Sequence, residues 1–577
     1  MGQRSGARIS ERKGPKMADD VRLKPMAWVL IIVVVLGLVG LGLYQGRDWI
    51  FPTGQKAGQV SKEDLGGKVE APDAAGVTTV KEYKFVPKEV LPPVKGAADY
   101  RPLQDKTVVM GLNVWAGWAP IFYANGGTDP NPDSLFAKKY GFKVAIKIID
   151  SPSASINAFA AGDVHVTAWT LDMIPLFYEQ LKADSRALPR AFLQVDWSNG
   201  GDGLVVRNSI KSVADLRGRK VALAQHSPSH YLLLNLLINS GLQPSDVDFK
   251  FTEDAFQAAA AFNADRSLAG CVSWAPDIYK LSEVRGNKLL VSTATANKLI
   301  ADVMFARADF VRDNPKIIDG LVRGFFDAAD ELKNEANKKK AAALMGKAYG
   351  LPVDEAVNML GDAHTTNYAE NRDFFMNQNN PTNFERYWET ASTLYMKLGS
   401  IASTVRFDQV ADFSFIKALE SVEPYASSRN EYDVTFAPKG VSSIKAEATE
   451  ILTNTQRIHF YPNSSELFYK NANGELYDPN VTKILEEVGR LCGQFGMARV
   501  VIEGYTDSSM KGFVPFEAVR DLSMARANAV KQELVKRFKL QPNQFSVAGE
   551  GWNNELEPGN HALNRRVEIK VYPLEQQ

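Results

Sequence analysis

The uncharged run Met26–Tyr44, dominated by Val, Leu and Ile, constrains this chain more than any other feature. At a helical rise of about 1.5 Å per residue it is about long enough to cross a hydrocarbon core, where a helix satisfies its own backbone polar groups. Arg4, Arg8, Arg12, Lys13, Lys16, Arg22 and Lys24 precede it, whereas Arg47 and Asp48 follow. The positive-inside bias therefore leaves residues 1–25 in the cytoplasm and everything beyond residue 44 outside. The following L-G-L-Y-Q-G-R-D-W has no small-x-small cleavage site, and there is no lipobox cysteine. The expectation is an uncleaved single-pass anchor in the inner membrane, with the bulk of the chain in the periplasm and Trp28, Tyr44 and Trp49 as interfacial rings.

Outside that run the sequence reads as modular. Residues 45–105 contain P-T-G-Q-K-A-G-Q and L-P-P-V-K-G with little periodicity, the composition of a tether. A second irregular stretch, residues 425–446, divides a middle domain (106–424) from a C-terminal one (447–577). The 67 basic and 67 acidic residues cancel, so no bulk charge points to nucleic acid. Cys271 and Cys492 fall in different domains and apolar surroundings, which reads as two buried thiols rather than a disulfide framework.

From residue 106 short apolar strands alternate with amphipathic helices: T-V-V-M-G-L-N-V, K-V-A-I-K-I-I, V-H-V-T-A-W, G-L-V-V-R and K-V-A-L-A. Such interleaving predicts an α/β fold with a largely parallel sheet. The strings N-V-W-A-G-W-A-P, A-F-A-A-G-D-V-H-V-T-A-W-T, D-L-R-G-R-K-V-A-L-A and S-W-A-P-D resemble the periplasmic solute-binding proteins of the nitrate/sulfonate/taurine and thiamine-precursor group, which serve ABC transporters. The resemblance implies a two-lobed clamshell whose ligand lies where strand ends and helix N-termini from both lobes converge. H-S-P-S-H before Y-L-L-L-N-L-L-I fits such a helix start, making Ser227 and Ser229 candidate contacts, with plain capping as the competing role. Trp115, Trp118, Trp169, Trp197 and Trp274 fall at predicted strand ends, beside Asp172, Asp196 and Asp277. Asn113, Pro120 and Asp302 occupy neighbouring loops and strand starts. Aromatic faces with carboxylates favour a cationic or ring-shaped solute, whereas the resemblance implies sulfonates or pyrimidines.

The last segment carries three further motifs in order: V-I-E-G-Y-T-D ending at Asp507, L-S-M-A-R-A with Arg526, and N-R-R-V-E-I with Asn564, Arg565 and Arg566. A strand delivering Asp507 to its tip and a helix carrying Arg526 place opposite charges side by side, which suits a zwitterion. These motifs resemble the α+β OmpA-like peptidoglycan-binding domain, found also in MotB-type stator proteins. By that resemblance Asp507 and Arg526 grip the diaminopimelate of the murein stem peptide, supported by Asn564 and Arg566. Arg565 is expected on the opposite strand face. The chain departs from the family at Tyr505, where His is usual, and at Val519, where Asn is usual.

No enzyme is expected. The histidines show no H-E-x-x-H spacing, and there is no P-loop, no G-x-S-x-G and no cysteine–histidine arrangement, so neither metal nor cofactor is implied. A proton-driven stator subunit needs an acid within the membrane helix, and Met26–Tyr44 has none. The expectation is an anchored receptor or sensor that binds murein at its C-terminus, takes a small solute in its clamshell, and serves a membrane partner. The alternative is a structural or stator-like subunit whose solute-binding domain is degenerate.

Overall fold

The computed structural model describes residues 77–432 and 434–574, so the Met26–Tyr44 anchor expectation lies outside the described residues. Among the described residues no helix is long and apolar enough to cross a membrane.

Two sheets make the middle domain. The first has six strands in the order β11-β4-β10-β3-β1-β2, from β1 (Thr107–Leu112), β2 (Lys143–Ile148), β3 (Val166–Thr170), β4 (Pro189–Ser198), β10 (Ala301–Arg307) and β11 (Ala363–Thr365). The second has the order β7-β6-β8-β5-β9, from β5 (Asp202–Arg207), β6 (Lys220–Ala224), β7 (Asp248–Thr252), β8 (Gly270–Trp274) and β9 (Asn287–Ser292). β1 runs parallel to β2 and β3, and β6 parallel to β7 and β8. β3 and β8 are buried throughout, as strands covered on both faces must be, which is why they read as unbroken apolar runs. In each sheet antiparallel strands join the parallel ones.

The chain crosses between the sheets twice, at residues 199–201 and 293–300. Thr293 ties the two crossings: its hydroxyl accepts from Gly200 N (2.9 Å) and Asp202 N (3.1 Å) and lies 2.7 Å from Ser198 Oγ. The α/β class follows the alternation of strands and helices and the two lobes follow the resemblance, but with four parallel and five antiparallel pairings the sheets are mixed rather than largely parallel.

Helix starts follow local chemistry. α1 (Pro152–Ala160) has proline in its first turn and is capped by Ser151, whose side chain accepts from Ala154 N. α2 (Pro228–Asn239) also begins on proline, but its N-cap Ser227 turns back to donate to Ala224 O at 2.8 Å and leaves the first-turn N–H groups uncapped by side chain. α3 (Phe384–Lys397) starts at Asn383, which accepts from Arg386 N.

The C-terminal domain is a four-stranded sheet, β12-β15-β13-β14, built from β12 (Leu452–Gln456), β13 (Ala498–Tyr505), β14 (Phe545–Gly551) and β15 (Val567–Pro573). α4 (Val481–Gln494) and α5 (Phe516–Phe538) cover one face. Alternation along β13 sends Val500 and Ile502 into the core, while Val501 meets Ile444 and Tyr572 on the other face. α5 lies directly on the strands: a Cβ at Gly504 would stand 2.1 Å from Ser523 O, and one at Gly549 2.2 Å from Arg520 O.

Neither irregular stretch is a free linker where it is described. Tyr425, Tyr432 and Phe436 of the second are buried. The Tyr432 hydroxyl lies 3.0 Å from Asn199 Oδ1 and 3.3 Å from Asn297 O, touching both crossings. The C-terminal domain docks on the same region: Lys298 N donates to Gln494 O (3.1 Å) and Met497 N to Asn297 Oδ1 (3.0 Å). Arg386 meets Glu486 at 3.3 Å, and Asn454 reaches Asn239 at the end of α2.

Candidate solute and murein sites

Between the lobes lies a cavity of about 40 Å³. From the first lobe come Asn113, Asp150, Ser151, Ser155, Trp169, Thr170 and Asp302; from the second, Ser227, Pro228 and Trp274. It holds one or two water-sized molecules, far less than an organic-ligand pocket of several hundred Å³, so the lobes are shut on one another. α1 and α2 point their N-termini at it from opposite lobes, and oriented N–H groups at a helix start favour negative charge.

The polar inventory of this cavity suits an acceptor-rich ligand. Trp274 Nε1 is buried without a hydrogen-bond partner among the described residues, while the Thr170 hydroxyl lies against Asp172. Trp169 Nε1 donates to Ser155 Oγ at 2.8 Å. Of the two acids, Asp150 accepts from Val114 N (2.8 Å) and burial raises its pKa. Asp302 is raised well above the carboxylate range by burial and by Asp196 beside it, which keeps it protonated. Behind the cavity Asp172 and Asp202 are also buried, and desolvation pushes each up to about 7.

The C-terminal motifs also converge. Asp507 lies two residues beyond β13 and accepts from Ser509 N at 2.8 Å; its other oxygen meets Arg565 Nε at 3.2 Å, and His561 Nδ1 lies 3.5 Å away. Burial raises its pKa, but Ser509, Arg565 and His561 together hold it below the usual carboxylate range. Arg526, on α5, donates to Ser464 O (3.0 Å) and stands 5.0 Å over the Phe460 ring. Burial, then Arg565, lowers its pKa to about 10. A cavity of about 50 Å³ lies among Ile458, His459, Phe460, Tyr477, Tyr505, Arg526, Arg565 and Arg566.

Two family models match the sequence: residues 136–339 match NMT1/THI5 like, and residues 460–568 match the OmpA family. The chain carries one domain of each. The taurine-binding periplasmic protein of Escherichia coli K12 is 28% identical over 230 residues, 38% of this chain and 69% of that protein. A putative aliphatic sulfonates-binding protein of the same organism is 31% identical over 150 residues, 26% of this chain and 46% of that one. Outer membrane protein Omp38 of Acinetobacter baumannii is 30% identical over 135 residues, 22% of this chain and 34% of its own length. Among solved structures, the periplasmic aliphatic sulphonate binding protein SsuA from Escherichia coli covers 53% of this chain and 97% of its own, at 21% identity and a TM-score of 0.42. The sequence relatives are named as binding and outer membrane proteins rather than as enzymes.

Within the NMT1/THI5-like lobes, the sequence-derived candidates divide. Trp169, Trp274, Ser227, Asn113 and Asp302 line the cavity. Trp115 is buried and donates to Asp196 (3.2 Å), and Trp118 is fully buried with its indole on Asn113 O (3.0 Å). Trp197 packs edge-on against Phe374. Asp172 meets the Tyr387 hydroxyl at 3.4 Å, and Ser229 is buried without lining the cavity. Asp277 is taken by Thr79, whose N–H and hydroxyl both donate to it. Of the carboxyls that line the cavity, Asp302 is pushed toward its neutral form by burial and by Asp196, whereas the hydrogen bond from Val114 N favours the charged form of Asp150. Asp150, Ser151, Ser155 and Thr170 escaped the sequence reading. S-P-S-A-S after K-I-I-D was their signal, a strand end running into a capped, proline-started helix.

In the OmpA domain Arg565 and Arg566 both line the cavity beside Arg526, each on a different partner. Arg565 reaches Asp507, while Arg566 stacks 3.8 Å over the Tyr505 ring and pairs with Glu568 at 2.7 Å. Strand alternation misplaced them because Arg565 precedes β15; it ends the short helical turn His561–Asn564, where a period of two does not apply. Asn564 closes the preceding loop, accepting from Leu556 N (2.9 Å) and donating to Glu557 O (2.8 Å), and so positions Arg565. Asp507 and Arg526 are near neighbours through Arg565 rather than a direct ion pair. Val519 is buried apolar core, consistent with its not being the usual Asn.

Proposed function

We propose that this chain is an envelope protein with two noncovalent binding sites, one for an organosulfonate in the clamshell and one for the murein stem peptide in the OmpA domain. The observation that carries the first is the meeting of two helix N-termini from opposite lobes with the unpartnered donor Trp274 Nε1 and the neighbouring Thr170 hydroxyl. A sulfonate offers three acceptor oxygens and one negative charge to that set. Asp150, at the cavity edge, is placed for an amine such as that of taurine. Kinship with proteins named for taurine and sulfonates supports the choice.

For the second site, Arg526 and Arg565 would take the carboxylate of a zwitterionic amino acid while Asp507 takes its ammonium, which requires Arg565 to share or release Asp507. Met26–Tyr44 is proposed as the single membrane span that holds the protein, presenting the clamshell to a membrane partner.

Calorimetric titration of the full chain with taurine tests the first site. A saturable heat that Trp274→Phe weakens about tenfold is expected, the worth of one buried hydrogen bond to a charged group. Taurine, ethanesulfonate and sulfate all failing to bind would mean that the lobes serve protein contacts instead. Cosedimentation with purified sacculi tests the second: Asp507→Ala and Arg526→Ala should release the protein, and Trp274→Phe should not.

A further inference from the structure

The stretch read from sequence as a tether crosses from one lobe to the other. Residues 77–90 lie on the second lobe: Phe85 bridges Thr252 at the edge strand β7, and Val86 N donates to Phe251 O at 2.8 Å. Residues 93–101 lie on the first: Ala98 N donates to Ala160 O and Arg101 N to Gly162 O, while the buried Arg307 donates to Ala98 O at 2.6 Å. Gly162 permits this approach, since a Cβ there would stand 2.4 Å from Asp99 O.

The crossing itself is held by two matched clasps. On the second lobe Gln225 accepts from Glu89 N (2.9 Å) and donates to Glu89 O (2.6 Å). On the first lobe Asn157, in α1, accepts from Lys95 N (2.7 Å) and donates to Pro93 O (2.9 Å). Each carboxamide thus reads the strap's backbone in both directions. Between the clasps runs Val90-Leu91-Pro92-Pro93, whose prolines fix an extended, stiff backbone with little slack.

Position gives the strap its consequence. The lobes join through β4, β10, β5 and β9, toward one edge of each sheet. The strap grips β7, the loop after β6, and the helix after β2, all toward the opposite edges. Gln225 stands two residues before the cavity-lining Ser227, and Asn157 two residues after the cavity-lining Ser155. A hinge motion that widens the cleft therefore pulls the clasps apart, and the shut cavity of about 40 Å³ admits no organic solute without such a motion.

We propose that residues 85–98 are a latch across the mouth of the clamshell, and that solute enters and leaves only when one clasp lets go. The proposal rests on reading the cleft as a sulfonate site. Its test uses the full chain in detergent with nitroxide labels at Lys138→Cys and Ser245→Cys, one exposed position on each lobe; the native Cys271 and Cys492 are buried. Two variants loosen the latch: Asn157→Ala with Gln225→Ala, and a Gly-Ser-Gly-Ser insertion after Val90, which adds slack but keeps every side chain. Pulsed electron resonance is expected to show one short inter-lobe distance in the parent and an added longer population in both variants. Taurine association, followed by tryptophan fluorescence, is expected to quicken about tenfold, given the modest net worth of each lost hydrogen bond. Identical distance distributions in the parent and both variants would overturn the latch. If no form binds taurine, the sulfonate reading falls, while the distances still decide the latch.

Discussion

Four carboxylates, Asp172, Asp196, Asp202 and Asp302, are buried at the cleft and the crossings beside it. Desolvation raises them all, and Asp172 and Asp202 reach about 7 against about 3.9 in an unfolded chain. The folded lobes keep these protons across an interval where the unfolded chain has released them. Their contribution to stability is therefore fully present below about pH 4, declines as pH rises through about 7, and is lost above it. Clamshell melting is expected to fall between pH 5 and pH 8, and Asp172→Asn to narrow that fall by a few degrees in calorimetric scans at the two pH values. At the other site, Arg565→Ala is expected to cut sacculus retention several-fold with little change in melting. Arg566→Ala instead unstacks Tyr505 and leaves Glu568 with Lys570 alone, and is expected to cost about 1–3 kcal/mol in denaturant unfolding. The motif around Asn564 was legible in the sequence; which arginine faces Asp507 was not, because a single helical turn before β15 shifts the phase.

Elements whose pattern records their own burial were the readable ones. The apolar runs T-V-V-M-G-L and V-I-E-G-Y became β1 and β13, and the H-S-P-S start became that of α2. The strap was not readable, for a physical reason: its bonds run from backbone to side-chain amides and strand edges distant in sequence, so no periodicity marks it. The same holds for the buried second linker, whose Tyr432 is ordered by the crossings. Close helix–strand contact is a further element-scale property that leaves a trace only in glycines. With Ser523 O 2.1 Å from the position of a Cβ on Gly504, Gly504→Ala should force α5 off β13 and destabilise the OmpA domain by about 1–3 kcal/mol or more, measured by chemical denaturation.

Across the whole described unit, the OmpA domain and the clamshell share a packed boundary rather than a flexible joint. Gly493 of α4 faces Pro381, where a Cβ would stand 2.6 Å from Pro381 Cγ. Gly493→Leu is expected to part the domains while each keeps its fold. Small-angle scattering should then report a larger radius of gyration, and calorimetry two separated melting transitions in place of overlapping ones. An unchanged radius would mean that the boundary repacks around the larger side chain.

The docked boundary and the strap together fix how the lobes meet a mechanical load. The polypeptide enters the clamshell across its mouth and leaves beside its crossings. Tension applied between Val77 and the C-terminal domain is therefore borne by the lobes themselves, with Thr79 on Asp277 and the Phe85–Val86 pairing to β7 loaded ahead of the amide clasps. A pull strong enough to peel the strap from β7 and from Gln225 would also free the mouth of the cleft.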